Sequence, residues 1–225
     1  MAPSATGRGV RVALVDTGVN FAHPHLRVPG EAMAAVWEDG RVIIVPGEAA
    51  DQHGHGTCCA ALLHGLAPDA ALIAVRVTGH RPTSDANRIA AGIEAATAAG
   101  AHVVAVPLGT RTALRGGLDA VVAAAVAAGV AVVAADPEGP EGAAVLPAGC
   151  PGALATRHRD GVDVVGAPPI LYAEGRARPA AGHAQNFWGP SLAVARVAAA
   201  VARAVEVHGS GLGAVEALSK ALVVR

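Results

Sequence analysis

Short β-type runs alternate with helical stretches along the whole chain, and that alternation limits the folds open to it. Val10–Val15, Val42–Val45, Ala71–Val77, His102–Val106, Val130–Ala135, Gly152–Thr156 and Val162–Val165 read as strands. Gly56–Leu66, Ser84–Ala99, Ala113–Ala128, Leu192–Val207 and Gly213–Val224 carry apolar residues at helical spacing. A strand, a helix of about 10–16 residues and another strand make a crossover, so neighbouring strands run parallel and helices cover both faces of the sheet. The expected architecture is a three-layer α/β/α fold around a mostly parallel central sheet, in one domain spanning residues 1–225. The Pro/Gly-rich stretch Pro137–Gly142 reads as a loop within that domain, not as a linker.

Composition narrows the function. Hydrophobic residues make up 52% of the 225, enough to build a core and too many for a disordered chain. Aromatic residues are only 2%, so the core must come from closely packed Ala, Val, Leu and Ile. Net charge is −1, with no basic stripe or aromatic platform, which argues against a nucleic-acid partner. The longest apolar stretch, Leu118 to Ala135, is interrupted by Asp119 and Gly129 and reads as a helix and a strand, not as a membrane span. The N-terminus lacks a charged and then apolar signal region. Three cysteines, Cys58, Cys59 and Cys150, do not make a disulfide framework, and the simplest expectation is a reducing, cytoplasmic setting.

Three short strings carry the chemistry: VALVDTG around Asp16, HGHGTCCA around His55 and NFWGPSLAVAR around Ser191. A serine hydroxyl is a poor nucleophile until a neighbouring base takes its proton, and the base needs a third group to fix its tautomer. Asp16 closes a strand, where functional groups of parallel sheets collect. His55 sits between glycines at a helix start. Ser191 opens a long helix, where its hydroxyl and backbone N–H meet the positive end of the helix dipole. Alone, each string has a plainer reading as a turn, a loop or a helix cap. Together they describe an Asp-His-Ser system.

The chain resembles the subtilisin-like serine peptidases. VALVDTGVN and AHPHL are similar to the family's aspartate motif, and Asp51 with GHGTCCA to its histidine motif. GLAPDAALIAVRV, AHVVAVPLGT, LPAGCPGALAT, VDVVGAP and GPSLAVARVAAAVA each resemble a further family segment, the last being the serine motif. The resemblance implies endopeptidase chemistry through an acyl-enzyme. Asp16 would orient the imidazole, His55 would act as base and then acid, and Ser191 would attack. Pro107, Leu108 and Gly109 would line an extended substrate that adds as a strand. Trp188, three residues before Ser191, stands either to line a substrate pocket or to cover the helix end.

Departures from the family pattern set further expectations. Where the family has an asparagine donating to the oxyanion, the segment here is AlaAlaAspProGluGly, so the position falls on Pro137 or Asp136. Neither is an amide donor, and the loss of one donor costs about 2.7–4 kcal/mol. The Ser191 backbone N–H remains, and Asn186 or Gln185 stands as a substitute. This sets a second reading beside the first: an impaired homologue that binds a peptide or protein without cutting it. Pro190 and Pro107 replace the usual Thr and Ser. Leu63-His64-Gly65 runs straight into Leu66-Ala67-Pro68, so the family's calcium loop is missing. Neither a metal nor a cofactor is expected. Adjacent cysteines point about 100° apart on a helix and do not chelate one ion together with the histidine pairs His53/His55 or His23/His25. The lack of a propeptide is a further expectation. The partner expected is a peptide or protein substrate, in specialised form a precursor peptide, with an activating partner as a further class.

Overall fold

The computed structural model describes residues 5–26, 28–110, 116–137, 145–177, 188–209 and 211–223. Among the described residues, nine strands form one sheet in the order β3-β2-β4-β1-β5-β6-β7-β9-β8. In chain order these are β1 (Arg11–Asp16), β2 (Gly30–Glu38), β3 (Arg41–Pro46), β4 (Ala71–Arg76), β5 (Val103–Val106), β6 (Ala131–Ala135), β7 (Leu154–His158), β8 (Val164–Ala167) and β9 (Ile170–Ala173). The helices are α1 (His55–Leu66), α2 (Ala86–Ala98), α3 (Gly116–Ala127), α4 (Pro190–His208) and α5 (Gly211–Val223).

The central strands β4, β1, β5, β6 and β7 pair in parallel, as the alternating pattern requires. Their side chains are buried on both faces, so they read as unbroken apolar runs such as VALV and VVAV. One face packs on α1, α4 and α5, with Leu63, Leu72, Val103, Val133, Leu192 and Val197 among its buried residues. The other packs on α2 and α3, with Ile73, Ile89, Ile93, Leu118 and Val122. The small-aliphatic core demanded by the composition is what fills both layers. It is clearest in α4, whose Ala193, Val194, Ala195, Val197, Ala198, Val201 and Ala202 are buried.

Two strands lie beyond the expectation drawn from the pattern. β2 carries Ala32, Ala34 and Ala35, which give little strand signal, yet it pairs antiparallel with β3 and parallel with β4. Its strand state comes from ladder partners on both sides, a tertiary contribution that local propensity does not contain. β9 has only four residues, follows Pro168-Pro169, and pairs antiparallel with β8. The antiparallel pairs therefore sit at the two edges of the sheet. β7 runs to His158, two residues past the expected end at Thr156, which brings Arg157 and His158 into the sheet. The start of the helix expected from Ala113, the residue Val224, and the loop residues 138–142 lie outside the described residues. No described helix is long and apolar enough to cross a membrane.

Candidate active site

Strands β1, β5, β6 and β7 all point their carboxyl ends the same way, so Asp16, Pro107, Asp136 and Arg157 are set along one edge of the sheet. The polar groups of the site are built there. Asp16 is 0% exposed, and its Oδ1 accepts from the Thr17 amide at 2.6 Å. His55, the first residue of α1, donates from Nδ1 to Asp16 Oδ1 at 2.7 Å, with Oδ2 at 3.0 Å. Donation from Nδ1 leaves Nε2 of the neutral ring as an acceptor.

Asp51 fixes where α1 begins. Its Oδ1 accepts from the amides of His53 at 3.0 Å and Gly54 at 2.9 Å and from the Thr17 hydroxyl at 2.8 Å. Its Oδ2 accepts from the Thr57 amide at 2.9 Å and hydroxyl at 2.6 Å. A carboxylate here satisfies helix-start N–H groups and meets the positive end of the dipole. The threonine hydroxyls relay the order outward: Thr17 Oγ1 accepts from the Gly56 amide at 2.9 Å, and Thr57 Oγ1 from the Asn20 amide at 3.0 Å. Gly54 turns the chain into the helix at φ 79°. A Cβ on Gly56 would lie 2.1 Å from the Gly18 carbonyl oxygen, so only glycine lets α1 come this close to the turn after β1.

The Asp51 carboxyl sits below the ordinary carboxylate range: burial pushes it up, but the hydrogen bonds from Thr57, His53 and Thr17 outweigh that. The His55 imidazole sits above its ordinary 6.5: burial pulls it down, but the charge and hydrogen bond of Asp16, with the charge of Asp51, outweigh burial. Two nearby carboxylates thus hold a basic imidazole at the mouth of α1.

Ser191 belongs to α4, which starts at Pro190 and not at the expected Leu192. Gly189 is the N-cap, and Pro190 supplies a preset φ at the first helical position. Ser191 is therefore in the first turn, where backbone N–H groups have no intrahelical acceptor. Its hydroxyl donates to the carbonyl of Pro107 at 2.8 Å, at the exit of β5. Beneath it, the Cys59 thiol reaches the Ser191 carbonyl at 3.9 Å, tying α1 to α4.

The remaining expected positions spread along the same edge. Pro107 is buried, Leu108 half-buried and Gly109 exposed, while Thr110 pairs with Leu146 in an isolated bridge. Asp136 follows β6, and its Oδ2 accepts from Arg157 Nε at 2.8 Å. In this arrangement it accepts rather than donates, which is not what an oxyanion donor does. Pro137 is exposed and has no N–H to offer. Asn186 and Gln185 lie outside the described residues. Trp188 is 63% exposed and stands edge-on to His158, with ring centroids 4.5 Å apart.

Sequence reasoning attached no role to Thr17, Thr57, Arg157 or His158. An acid just ahead of a glycine-bounded helix start was a readable capping signal for Asp51. The His158 contacts had no signal, because they depend on β7 meeting a segment about 17 residues on.

Asp16, His55 and Cys59 bring ligand atoms within 4.8 Å of one another. Burial first, then the charge of Asp16, raise the Cys59 thiol well above its ordinary range. Cys58 is likewise pushed up to about 11, by burial and then by Asp16 and Asp51.

The family model for the Subtilase family matches residues 7–167, which include the Asp16, Asp51 and His55 cluster. The chain belongs to the subtilase family. Ser191 lies beyond the matched span. This subtilase is 35% identical over 166 residues to Subtilisin Savinase of Lederbergia lenta, covering 69% of the chain and 57% of that protein. It spans about half the length of the curated relatives it matches. Its fold superposes on a cold adapted subtilisin-like serine proteinase with a TM-score of 0.77 at 20% identity, covering 96% of this chain and 83% of that one. The prenylagaramide maturation protease PagA gives 0.70 at 19% identity, covering 88% and 76%. The expected α/β architecture and the family resemblance both hold.

Proposed function

We propose that this subtilase is a serine endopeptidase working through Asp16, His55 and Ser191. The observation that carries the reading is the fully buried Asp16 carboxylate holding His55 Nδ1 at 2.7 Å, beside a first-turn serine at the exit of the adjacent strand β5. With Nδ1 committed to Asp16, Nε2 is the nitrogen that takes the Ser191 proton as Oγ attacks the scissile carbonyl carbon. Asp16 stabilises the imidazolium that forms. The Ser191 N–H, in the first turn of α4, donates to the oxyanion. Collapse passes the proton from His55 to the leaving amine and leaves an acyl-serine. A water, deprotonated by His55, then releases the acid. Substrate backbone is proposed to run beside Pro107, Leu108 and Gly109 as an added strand, with Trp188 near its side chains.

The substrate class we infer is a precursor peptide. One fold relative is the prenylagaramide maturation protease PagA, a likeness of fold alone. A reducing, cytoplasmic setting accords with Cys58 and Cys59 as thiols.

A fluorophosphonate probe tests the reading: the native chain labels, and Ser191→Ala does not. Absence of labelling at every pH would count against it.

A second reading rests on Asp136. An accepting carboxylate and Pro137 stand where an amide donor is expected, and a half-built oxyanion hole suits peptide binding without turnover. Peptide binding unchanged in Ser191→Ala, with no turnover by the native chain, favours this reading; turnover abolished by that substitution rejects it.

A further inference from the structure

The loop that delivers Ser191 is held by a segment far from the proposed triad. Gly189, the N-cap of α4, donates its N–H to the Gly175 carbonyl at 2.9 Å. Arg176 and Trp188 form an isolated antiparallel bridge. Nearly two turns into α4, Arg196 Nε donates to the Glu174 carbonyl at 3.2 Å. The strap 174–176 therefore grips the start of α4 on both sides of Ser191.

What holds the strap is His158. Its Nδ1 accepts from the Gly175 N–H at 2.9 Å. Gly175 is pressed between the two partners: a Cβ there would lie 2.1 Å from the Gly189 carbonyl oxygen and 2.8 Å from His158 Nδ1. The backbone of residue 175 thus accepts from the Gly189 N–H at its carbonyl and donates from its amide to the ring, with no room for slack. Acceptance at Nδ1 assigns the neutral ring its proton on Nε2. That nitrogen is buried, 3.4 Å from Asp160 Oδ1 and out of line for a hydrogen bond. The charged groups around the ring are Asp160 on the turn after β7, Glu174 and Arg176 on the strap, and Arg196 on α4. Arg176 lies 3.7 Å from Asp160 and 3.0 Å from Glu174. The Trp188 ring covers the remaining side.

We infer that His158 is a positioning residue for Ser191: its Nδ1 holds the Gly175 amide, and the Gly175 carbonyl in turn holds the N-cap of α4. Without that acceptor the Gly175–Gly189 contact loses its backing, and Ser191 loses its fixed place in the first turn of α4. This rests on the Asp16-His55-Ser191 reading.

The test compares the full chain with His158→Asn and His158→Phe. Asn places an amide oxygen near the Nδ1 position; Phe keeps the ring and removes the acceptor. His158→Asn should keep most of the native fluorophosphonate inactivation rate. His158→Phe should be slower by roughly tenfold, the scale of one lost hydrogen bond, with the loss in the maximal inactivation rate and not in the probe concentration that gives half of it. Hydrogen exchange of the peptide around Gly175 supplies a readout independent of labelling. Protection should persist in His158→Asn and be lost in His158→Phe. A His158→Phe variant that labels and exchanges as the native chain does, or a His158→Asn variant as impaired as His158→Phe, overturns the clamp. Failure of the native chain to label rejects the nucleophile instead, and the exchange data alone then decide the clamp.

Discussion

The hydroxyl of Ser191 points at the carbonyl of Pro107, 2.8 Å away, across the gap between α4 and the exit of β5. In the proposed mechanism, attack on a substrate requires that hydroxyl proton to pass to His55 instead. The bond to Pro107 is between neutral groups, worth about 0.5–1.5 kcal/mol net. The resting orientation therefore slows attack by roughly tenfold at most.

The first prediction uses that bond. Ser191→Ala abolishes probe labelling but costs only about 0.5–1.5 kcal/mol of stability. Urea unfolding should show a small midpoint shift with an unchanged slope. A collapse of the fold in this variant would mean that Ser191 is chiefly structural.

Asp16→Asn removes the charge that holds the imidazole. By analogy with the serine-protease triad, the rate should fall by roughly 10⁴, because the amide stabilises the wrong tautomer. The acid limb of the residual rate should move to lower pH, since the largest influence that raises His55 is gone while burial still lowers it. His55 is raised in the folded state, so its pairing adds stability that is full below the unfolded value of 6.5 and lost as pH rises through the raised folded value. The stability gap between the native chain and Asp16→Asn, measured by denaturant titration, should be widest on the acid side of that window.

Asp51→Asn tests the start of α1. The carboxylate accepts five hydrogen bonds, from two hydroxyls and three amides, and the loss of its charge should cost roughly 2–4 kcal/mol. Because the folded Asp51 is depressed, its contribution is present above the unfolded value of 3.8 and fades as pH falls through the lower folded value. The native chain and the variant should therefore converge in stability toward that acid range. A constant difference across it would show that the carboxylate's charge is not what orders the helix start.

Gly56→Ala places a methyl 2.1 Å from the Gly18 oxygen and 3.2 Å from Asp16 Cβ. Backbone on one side leaves no flexible neighbour to yield, so a loss of about 3 kcal/mol is expected. His55 moves with the helix, so labelling should drop more steeply than stability. Thermal unfolding together with the probe rate, both taken well below the melting temperature, separates the two effects.

Much of this was legible in the chain. The parallel core strands and covering helices follow from alternation alone, since a parallel pair needs a crossover and a doubly covered sheet needs apolar runs. Asp16, His55 and Ser191 were legible because each sits in a local frame: a strand end, a glycine-bounded helix start, a long Ala/Val helix. β2 and β9 were not, because an alanine-rich or four-residue segment becomes a strand only when neighbours supply its ladder. The resting partner of Ser191 was not, because Pro107 is 84 residues away.

The sequence by itself determined which groups are present, the order of the motifs and the class of fold that displays them along one sheet edge. Only the tertiary structure decided that Thr17 meets Asp51, that Asp136 meets Arg157, and that His158 braces the strap behind Ser191. The reason is physical. Periodicity and propensity act over a few residues, whereas these hydrogen bonds join positions brought within about 3 Å only by strand order and helix packing.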